Sequence, residues 1–413
     1  MKKEVKKVCP EQSRRVFVGM SGGVDSSVSA YLLKEAGYTV TGVFIRAWEP
    51  AGYPCSWRAE RREAMRVASF LDIPLLTIDL SREYKKRVVD YLLAEYKAGR
   101  TPNPDVMCNK MIKFGAFFDW ATRTQTDTGQ TRNKRRKLPI ADFVATGHYS
   151  QIKNKISKIK NTKQKEKDFE YLMQISKDKE KDQTYFLWAI EKSKLPKILF
   201  PVGHLLKSEV REIARKANLP TAEKKDSQGL CFVGQFDFKE FLLKEIGAKP
   251  GNVLDGSGQI IGEHSGAYLF TNGERHGFKI FHKQPDEKPY YVVSKDLKKN
   301  TITVSAEAKI TGATKIVKLE KTNWLSGIPE VSPLGQVRSL LTEGSPRSNP
   351  RTTLGGETLK ARIRYRQPLQ PCHLEIADSQ SATVTFDSPQ IIASGQSLVL
   401  YDKEVCLGGG IIV

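Results

Sequence analysis

Ser21-Gly22-Gly23-Val24-Asp25-Ser26-Ser27 decides the reading of this chain. Arg15-Val16-Phe17-Val18-Gly19 precedes it, a β-branched and aromatic run that predicts a buried strand. Val28-Ser29-Ala30-Tyr31-Leu32-Leu33-Lys34-Glu35-Ala36 follows, with apolar residues at helical spacing and Gly37 as a stop. The unit is strand, glycine-rich turn, helix. Glycines let the backbone turn tightly and approach a ligand. The free N–H groups and the dipole at the helix start favour an anion, and three serine hydroxyls add donors. A phosphate or pyrophosphate is the expected guest.

Two commoner phosphate loops do not fit. The stretch has no lysine, which excludes the Gly-x4-Gly-Lys-Ser/Thr type, and no Gly-x-Gly-x-x-Gly. The Ser-Gly-Gly-x-Asp-Ser pattern resembles the loop of the N-type ATP pyrophosphatases, which release pyrophosphate and leave AMP on a substrate. That resemblance implies an ATP site at Gly19, Met20, Ser21, Gly22, Gly23, Val24, Asp25 and Ser26. The competing reading is an ordinary turn with a Ser or Asp helix cap.

With 413 residues, 39% hydrophobic and 27% charged, the chain is expected to hold two or three soluble domains. A net charge of +21, from 67 Lys plus Arg against 46 Asp plus Glu, favours a polyanionic partner. No apolar run is long enough to span a membrane, and Met1-Lys2-Lys3-Glu4-Val5-Lys6-Lys7 lacks the apolar core of a signal peptide. A cytoplasmic location is the expectation, with residues 10–13 and the lysines before them as a loose tail. The six cysteines (Cys9, Cys55, Cys108, Cys231, Cys372 and Cys406) form no Cys-x-x-Cys and no zinc spacing with the histidines. They are expected as mostly reduced thiols, with no metal held by a side-chain cluster.

Strand and helix patterns alternate through the first part. Strands are predicted at 39–44, 74–79 and 142–147, and helices at 61–71, 84–98 and 113–122. Alternation of this kind predicts a parallel sheet covered by helices, with ligands at the carboxyl ends of the strands. The loop at Gly22, the segment near Arg46 and the turn at Gly147 and His148 can meet there. Residues 122–137 and 153–170 are polar and rich in lysine and arginine, and read as solvated insertions or a mobile basic hairpin. Helices are expected at 183–195, 207–217 and 238–246. From about Gly251 the texture changes to short strands and turns, and from about Lys295 it predicts an all-β barrel or sandwich with an inserted loop at 329–356. The expected fold class is α/β: a parallel-sheet domain at 1–234, a small central α/β domain at 235–288 and a C-terminal β-barrel at 289–413.

Gly99-Arg100-Thr101-Pro102-Asn103-Pro104-Asp105-Val106-Met107-Cys108-Asn109-Lys110 is a second informative stretch. Its prolines stiffen it. Asn103 can bond a base edge, Asp105 can move a proton, and Cys108 lies near a helix start that favours its thiolate. An equal alternative is a helix-entry loop with Asp105 as cap and Cys108 as buried filler. Cys231 follows Lys224-Lys225-Asp226-Ser227-Gln228-Gly229-Leu230, an electropositive run expected to lower its pKa, although a free cysteine at a domain edge is the commoner fate.

These stretches together resemble the tRNA-specific 2-thiouridylases. Residues 101–114, Val144-Ala145-Thr146-Gly147-His148-Tyr149, Lys181-Asp182-Gln183-Thr184-Tyr185-Phe186-Leu187, 201–205, 224–234, 362–367 and 395–412 look like that family's segments, in its order. The resemblance implies that ATP adenylates the 2-carbonyl oxygen of the wobble uridine and that sulfur then displaces AMP. It implies Cys231 as persulfide carrier, loaded by a cysteine desulfurase or relay protein, and Asp105 as acid or base. Cys108 would be the nucleophile, attacking the persulfide and leaving a disulfide, or engaging the substrate itself. Asn103, Pro104 and Asp105 match target-base positions, and His148, Lys181, Asp182, Gln183, Arg364, Tyr365 and Gln396 match tRNA contacts. Ile45, where the family commonly has Met, and Gly147 match the ATP pocket. Asp25 is expected near pyrophosphate through a magnesium ion, in a monomer whose partners are tRNA and a persulfide donor. Thr271-Asn272-Gly273-Glu274-Arg275-His276-Gly277 departs from a more apolar family version. Rival readings are another adenylating enzyme of the same loop class, which needs no cysteine pair, and a non-catalytic RNA-binding relative, which needs no intact loop.

Overall fold

The computed structural model describes residues 14–50, 52–53, 57–123, 140–156, 169–225, 238–282, 288–306, 313–326, 330–331, 337–338 and 359–413. The expected strand, turn and helix at the amino end are β1 (Arg15–Gly19) and α1 (Val24–Glu35). They are followed by β2 (Thr39–Arg46), α2 (Trp57–Phe70) and β3 (Leu75–Asp79). Next comes one continuous rod: α3 (Ser81–Tyr84), a π-wound stretch Lys85–Val89 and α4 (Asp90–Lys97). A second rod joins α5 (Pro104–Cys108), a π-wound Asn109–Phe117 and α6 (Phe118–Thr122). The helix expected at 113–122 therefore starts at Pro104, and Cys108 lies in a helix rather than in a loop.

β4 (Phe143–Ala145) returns to the sheet. The chain then leaves it in a hairpin, β5 (Gln151–Ile156) and β6 (Phe169–Gln174), before α7 (Thr184–Leu187), β7 (Ile198–Leu199) and α8 (Lys207–Lys216). One open reading is narrowed here, toward the hairpin, and one expectation is corrected. The ends of the 153–170 insertion are paired strands, with Lys153 opposite Leu172. The helix expected at 183–195 is one turn at Thr184–Leu187 and a separate 3-10 segment, Lys192–Lys197, that contains Pro196. Residues 124–137, 157–168 and 1–13, which carry the rest of the expected insertions and tail, lie outside the described residues.

All pairings of the first sheet are parallel, in the order β3-β2-β1-β4-β7. The chain runs outward from β1 to one edge, then restarts at β4 and runs to the other. The crevice of such a sheet opens at that switch, between β1 and β4, beyond their carboxyl ends. The period-2 alternation of β1 sends Val16 and Val18 to one core with Val28, Leu33 and Val210, and Phe17 to another with Ile45, Ile112 and Phe117.

The central domain is α9 (Phe238–Ile246) with a sheet of order β10-β9-β8-β12-β11. Its strands are β8 (Gly251–Leu254), β9 (Ile260–His264), β10 (Phe278–Ile280), β11 (Tyr291–Asp296) and β12 (Thr301–Ser305). The last two were expected in the barrel; β12 instead pairs in parallel with β8.

The remaining strands are β13 (Thr314–Trp324), the small pair β14 (Glu330–Val331) and β15 (Val337–Arg338), then β16 (Lys360–Arg362), β17 (Gln370–Ile376), β18 (Ser381–Gln390), β19 (Ser397–Asp402) and β20 (Val405–Ile412). The β14 and β15 pair falls inside the expected 329–356 insertion. β13 pairs with both β18 and β20, which closes the ring β13-β18-β17-β16-β19-β20 into a barrel. Closure removes sheet edges. Its interior holds Val317, Leu319, Val384, Phe386, Leu398 and Leu400. The β5–β6 hairpin of the first domain extends this sheet at β20, where Gln174 faces Val405.

Candidate active site

The Ser21–Ser27 loop lies at the switch point. Met20 N–H still donates to Val43 O at 2.8 Å, as a strand residue would. Gly22 then turns with φ +72°, and a Cβ there would stand 2.6 Å from Glu60 O. Gly23 is the helix N-cap and has no side-chain cap, so neither Ser nor Asp25 plays that part. Ser26 and Ser27 hydroxyls donate to Gly23 O at 3.0 and 2.8 Å, and Gly23 N–H donates to Ser21 Oγ at 3.3 Å. Gly147, in the turn after β4, presses on the same helix start: a Cβ there would lie 2.7 Å from Asp25 C and Ser26 N. Ile45 is buried near the end of β2 beside Ile78.

Three residues that sequence reading missed complete this cluster. Lys207 Nζ donates to both Asp25 oxygens at 2.7 and 2.8 Å, and Tyr149 OH donates to Asp25 Oδ1 at 2.8 Å. Lys224 Nζ donates to Gly22 O at 2.9 Å. A signal for Lys207 existed: it opens α8, where the helix dipole disfavours a cation unless an anion lies close by. The loop thus has a helix amino end, two ammonium groups and a carboxylate within one crevice, which suits a phosphate chain with a hard cation. Among the described residues no group of three or more His, Cys, Asp or Glu could hold a metal ion by itself.

The second cluster surrounds α5. Asn103 Oδ1 accepts from Asp105 N–H and Val106 N–H at 3.1 and 3.2 Å, so Asn103 is the N-cap and Asp105 is not. Pro104 occupies the first helical position, where its missing N–H is harmless. Asp105 is half-buried and Cys108 is fully buried. On the continuation of that helix Lys113 reaches His148 Nε2 at 3.2 Å, while His148 Nδ1 meets Thr146 Oγ1 at 2.7 Å. Lys113 therefore ties the helix of Asp105 and Cys108 to the turn of Gly147. Burial, with the Lys113 charge second, holds His148 well below the usual histidine range. As a neutral ring it accepts from Lys113 and donates to Thr146.

Other expected RNA contacts fall at the seam between the first domain and the barrel. Tyr365 packs on Phe186 with ring centroids 4.6 Å apart, and Arg364 is exposed beside the Gly273 turn. Gln183 Oε1 accepts from Tyr149 N–H at 2.9 Å, and Lys181 N–H donates to Asp178 Oδ1 at 3.2 Å. One placement differs from expectation. Asp182 is interior: its side chain is 1% exposed and ion-paired with Arg362 of the barrel. Gln396 is half-buried, its Nε2 donating to Thr101 O at 2.8 Å. Both lie where two domains meet, and polar groups buried there find protein partners. Cys231 and residues 226–237 lie outside the described residues. Of the described cysteines, Cys372 and Cys406 are buried in the barrel region with thiols pushed up to about 12.

Family models match in the same three parts. One described as "tRNA methyl transferase HUP domain" covers residues 14–235, a "tRNA methyl transferase PRC-barrel domain" covers 239–306, and an "Aminomethyltransferase beta-barrel domain" covers 345–412. A protein of Nitrosomonas europaea named tRNA-specific 2-thiouridylase MnmA is 40% identical over 97% of this chain and 98% of its own length. The chain belongs to the tRNA-specific 2-thiouridylase family. Other 2-thiouridylases agree: that of Shewanella amazonensis is 39% identical over 98% of this chain and 96% of its own length. That of Streptococcus thermophilus is 39% identical over 96% and 95%. The Ser21–Ser27 loop and the Asn103–Cys108 stretch both fall within the first matched domain. No described helix is long and apolar enough to cross a membrane.

Proposed function

We propose that this protein is an ATP-dependent tRNA sulfurtransferase that converts the wobble uridine to 2-thiouridine. What carries the reading is a family relationship over nearly the whole chain together with an Asp25–Lys207 pair at the mouth of a phosphate-type loop. The pyrophosphate of ATP would lie on the amino end of α1, with Lys207 and Lys224 neutralising charge as it leaves. Asp25 would hold the magnesium ion that travels with the phosphates. Gly147 and Ile45 would border the nucleotide.

The uridine O2 attacks the α-phosphorus, pyrophosphate leaves, and the base carries AMP. Oxygen bonded to carbon is a poor leaving group, whereas AMP is a good one. Cys231 arrives as a persulfide from a cysteine desulfurase or relay protein. Cys108 thiolate attacks the inner sulfur, forming a Cys108–Cys231 disulfide and releasing hydrosulfide. Hydrosulfide adds to C2 and AMP departs with the former O2. A thiol reductant then restores the two cysteines. Asp105 moves the protons, and Asn103 and Pro104 hold the extruded base, whose unstacking costs a few kcal/mol. Arg364, Tyr365 and Lys181 contact the RNA, whose phosphates are drawn by the net charge of +21. Cys108 is fully buried, so the scheme requires this region to open when RNA and the Cys231 segment arrive.

The test is reconstitution with ATP, unmodified tRNA and a persulfide donor, read by mass spectrometry of the nucleosides. We expect 2-thiouridine from the wild type and none from Cys231→Ser or Cys108→Ser. Full thiolation by Cys231→Ser would remove the sulfur-carrier role, and absence of pyrophosphate release by the wild type would remove the enzymatic reading.

A further inference from the structure

Thr101 is held by groups from two other domains. Its backbone N–H donates to Ser394 O of the barrel domain at 2.7 Å. Its carbonyl accepts from Gln396 Nε2, also of the barrel, at 2.8 Å. Its hydroxyl meets the hydroxyl of Thr271 in the central domain at 2.9 Å. All three of its hydrogen-bonding groups are thereby engaged across a domain boundary, and none is engaged within the loop that contains it.

The fit around it leaves little slack. Gly395, between the two barrel partners, has φ +90°, and a Cβ there would lie 2.9 Å from Thr101 N and 3.0 Å from Thr101 C. Gly99, two residues before Thr101, has φ +74°, and a Cβ there would overlap Leu297 of the central domain. The Thr271 turn is itself braced, since Thr271 N–H donates to Glu274 Oε2 at 3.0 Å. The same turn lies beside Arg364 of the barrel at Gly273. Downstream, Pro102 and Pro104 fix two of the three φ angles that separate Thr101 from the first turn of α5. Asn103 between them caps the helix that carries Asp105 and Cys108. A shift at Thr101 is therefore passed to that helix with few torsions to absorb it.

We propose that Thr101 is a positioning residue through which the central domain and the barrel jointly set the helix of Asp105 and Cys108, so that RNA seated on those domains governs the catalytic placement. This rests on the thiolation reading for the roles of Asp105 and Cys108. It assigns Gln396 a task on the protein side of the interface, and it gives the Thr271 turn a reason to be polar.

The test is a double-mutant cycle on the hydroxyl pair, with Thr101→Val, Thr271→Val and both together. Single-turnover thiolation should fall about fivefold in either single variant, the size of one lost neutral hydrogen bond. The double variant should be no slower than the singles, because each removes the same contact. The Kd for tRNA should stay within about twofold, since phosphate contacts dominate it. Thr101→Ser, which keeps the hydroxyl, should restore the rate. Hydrogen exchange of the Asp105 and Val106 amides should quicken by the same factor in the singles, a readout that needs no activity. A full rate in Thr101→Val, additive losses in the double variant, failure of Thr101→Ser to rescue, or a loss confined to tRNA affinity would each overturn the proposal. A wild type that does not thiolate tRNA would instead overturn the thiolation reading, while the exchange cycle would still decide whether Thr101 sets the helix.

Discussion

Removing the Arg362 side chain should loosen the seam between the first domain and the barrel without touching RNA affinity. Arg362 Nη2 is ion-paired with Asp182 and donates to Thr184 Oγ1 at 3.1 Å and Tyr401 OH at 2.8 Å; its Nε also donates to Tyr401 OH at 3.0 Å. The two charged side chains are 8% and 1% exposed. Asp182 has further donors in Ser176 N–H and the Thr184 hydroxyl, at 3.2 and 2.7 Å, but no second cation within the pair. Arg362→Met would therefore leave a carboxylate buried with its charge uncompensated, a change that costs about 3–5 kcal/mol. For the domain sizes here that corresponds to a fall in Tm of roughly 6–20 °C. Arg362→Met combined with Asp182→Leu should regain most of it, because the stranded charge is gone. The assay is thermal unfolding by circular dichroism beside tRNA binding measured well below the transition. An unchanged Tm in Arg362→Met would refute the electrostatic account. A tenfold weaker tRNA Kd in Asp182→Asn at unaltered Tm would return Asp182 to the RNA interface.

Lys207→Met should keep the fold and lower tRNA-dependent pyrophosphate release by about a hundredfold or more, the usual loss when one preorganised charge is removed; Asp25→Ala should behave alike, and unchanged release in either would detach this pair from the reaction. Gly147→Ala places a methyl 2.7 Å from the backbone of Asp25 and Ser26. ATP affinity should drop about tenfold, as overpacking by one methyl costs about 1–3 kcal/mol, and equilibrium dialysis with ATP checks it. The depressed pKa of His148 makes the unfolded chain the better proton acceptor. Its contribution is therefore fully present above about pH 6.5 and lost below it, by up to about 1.4 kcal/mol per pH unit. Urea midpoints at about pH 7.5 and about pH 5.5 should differ less in His148→Gln than in the wild type, with part of the slope remaining from His264, which burial also depresses.

The parallel sheet was legible because its signals are local. Val16, Phe17 and Val18 alternate between two cores, and Gly22 and Gly23 stand where a phosphate-type turn needs them. Asn103-Pro104-Asp105 also carried a local message, an N-cap followed by proline at the first helical position. With Pro102 just before it the stretch reads as a rigid loop, so the sequence puts the helix start at 113 where the structure has it at Pro104. The β5–β6 hairpin was partly legible: a basic hairpin was one of the two readings of 153–170, without its strand bounds. Lys153 and its neighbours look like solvent-facing loop residues; β5 and β6 pair with each other over six residues, and distance along the chain hides their docking on β20, where Gln174 faces Val405. The same distance hid Lys207, which is 182 residues from Asp25, and the interior role of Asp182, whose cation lies 180 residues away. Polar residues at a domain seam look like surface in a sequence, because nothing nearby in the chain announces their partners.

Thr101 and Gln396 are separated by 295 residues. During synthesis the Asn103–Cys108 helix therefore leaves the ribosome long before the segment that braces it, and so does the hairpin that adds to β20. At about 5–20 residues per second the interval is roughly 15–60 seconds. Through that time the nascent chain carries its glycine-rich loop and the Asn103–Cys108 helix but not the barrel groups that hold Thr101. A chain whose last strands fail to close the barrel lacks the Ser394 and Gln396 bonds to Thr101 just before that helix. Closure of the last strands is thus a condition for bracing the Asn103–Cys108 helix, which the first hundred residues cannot brace alone.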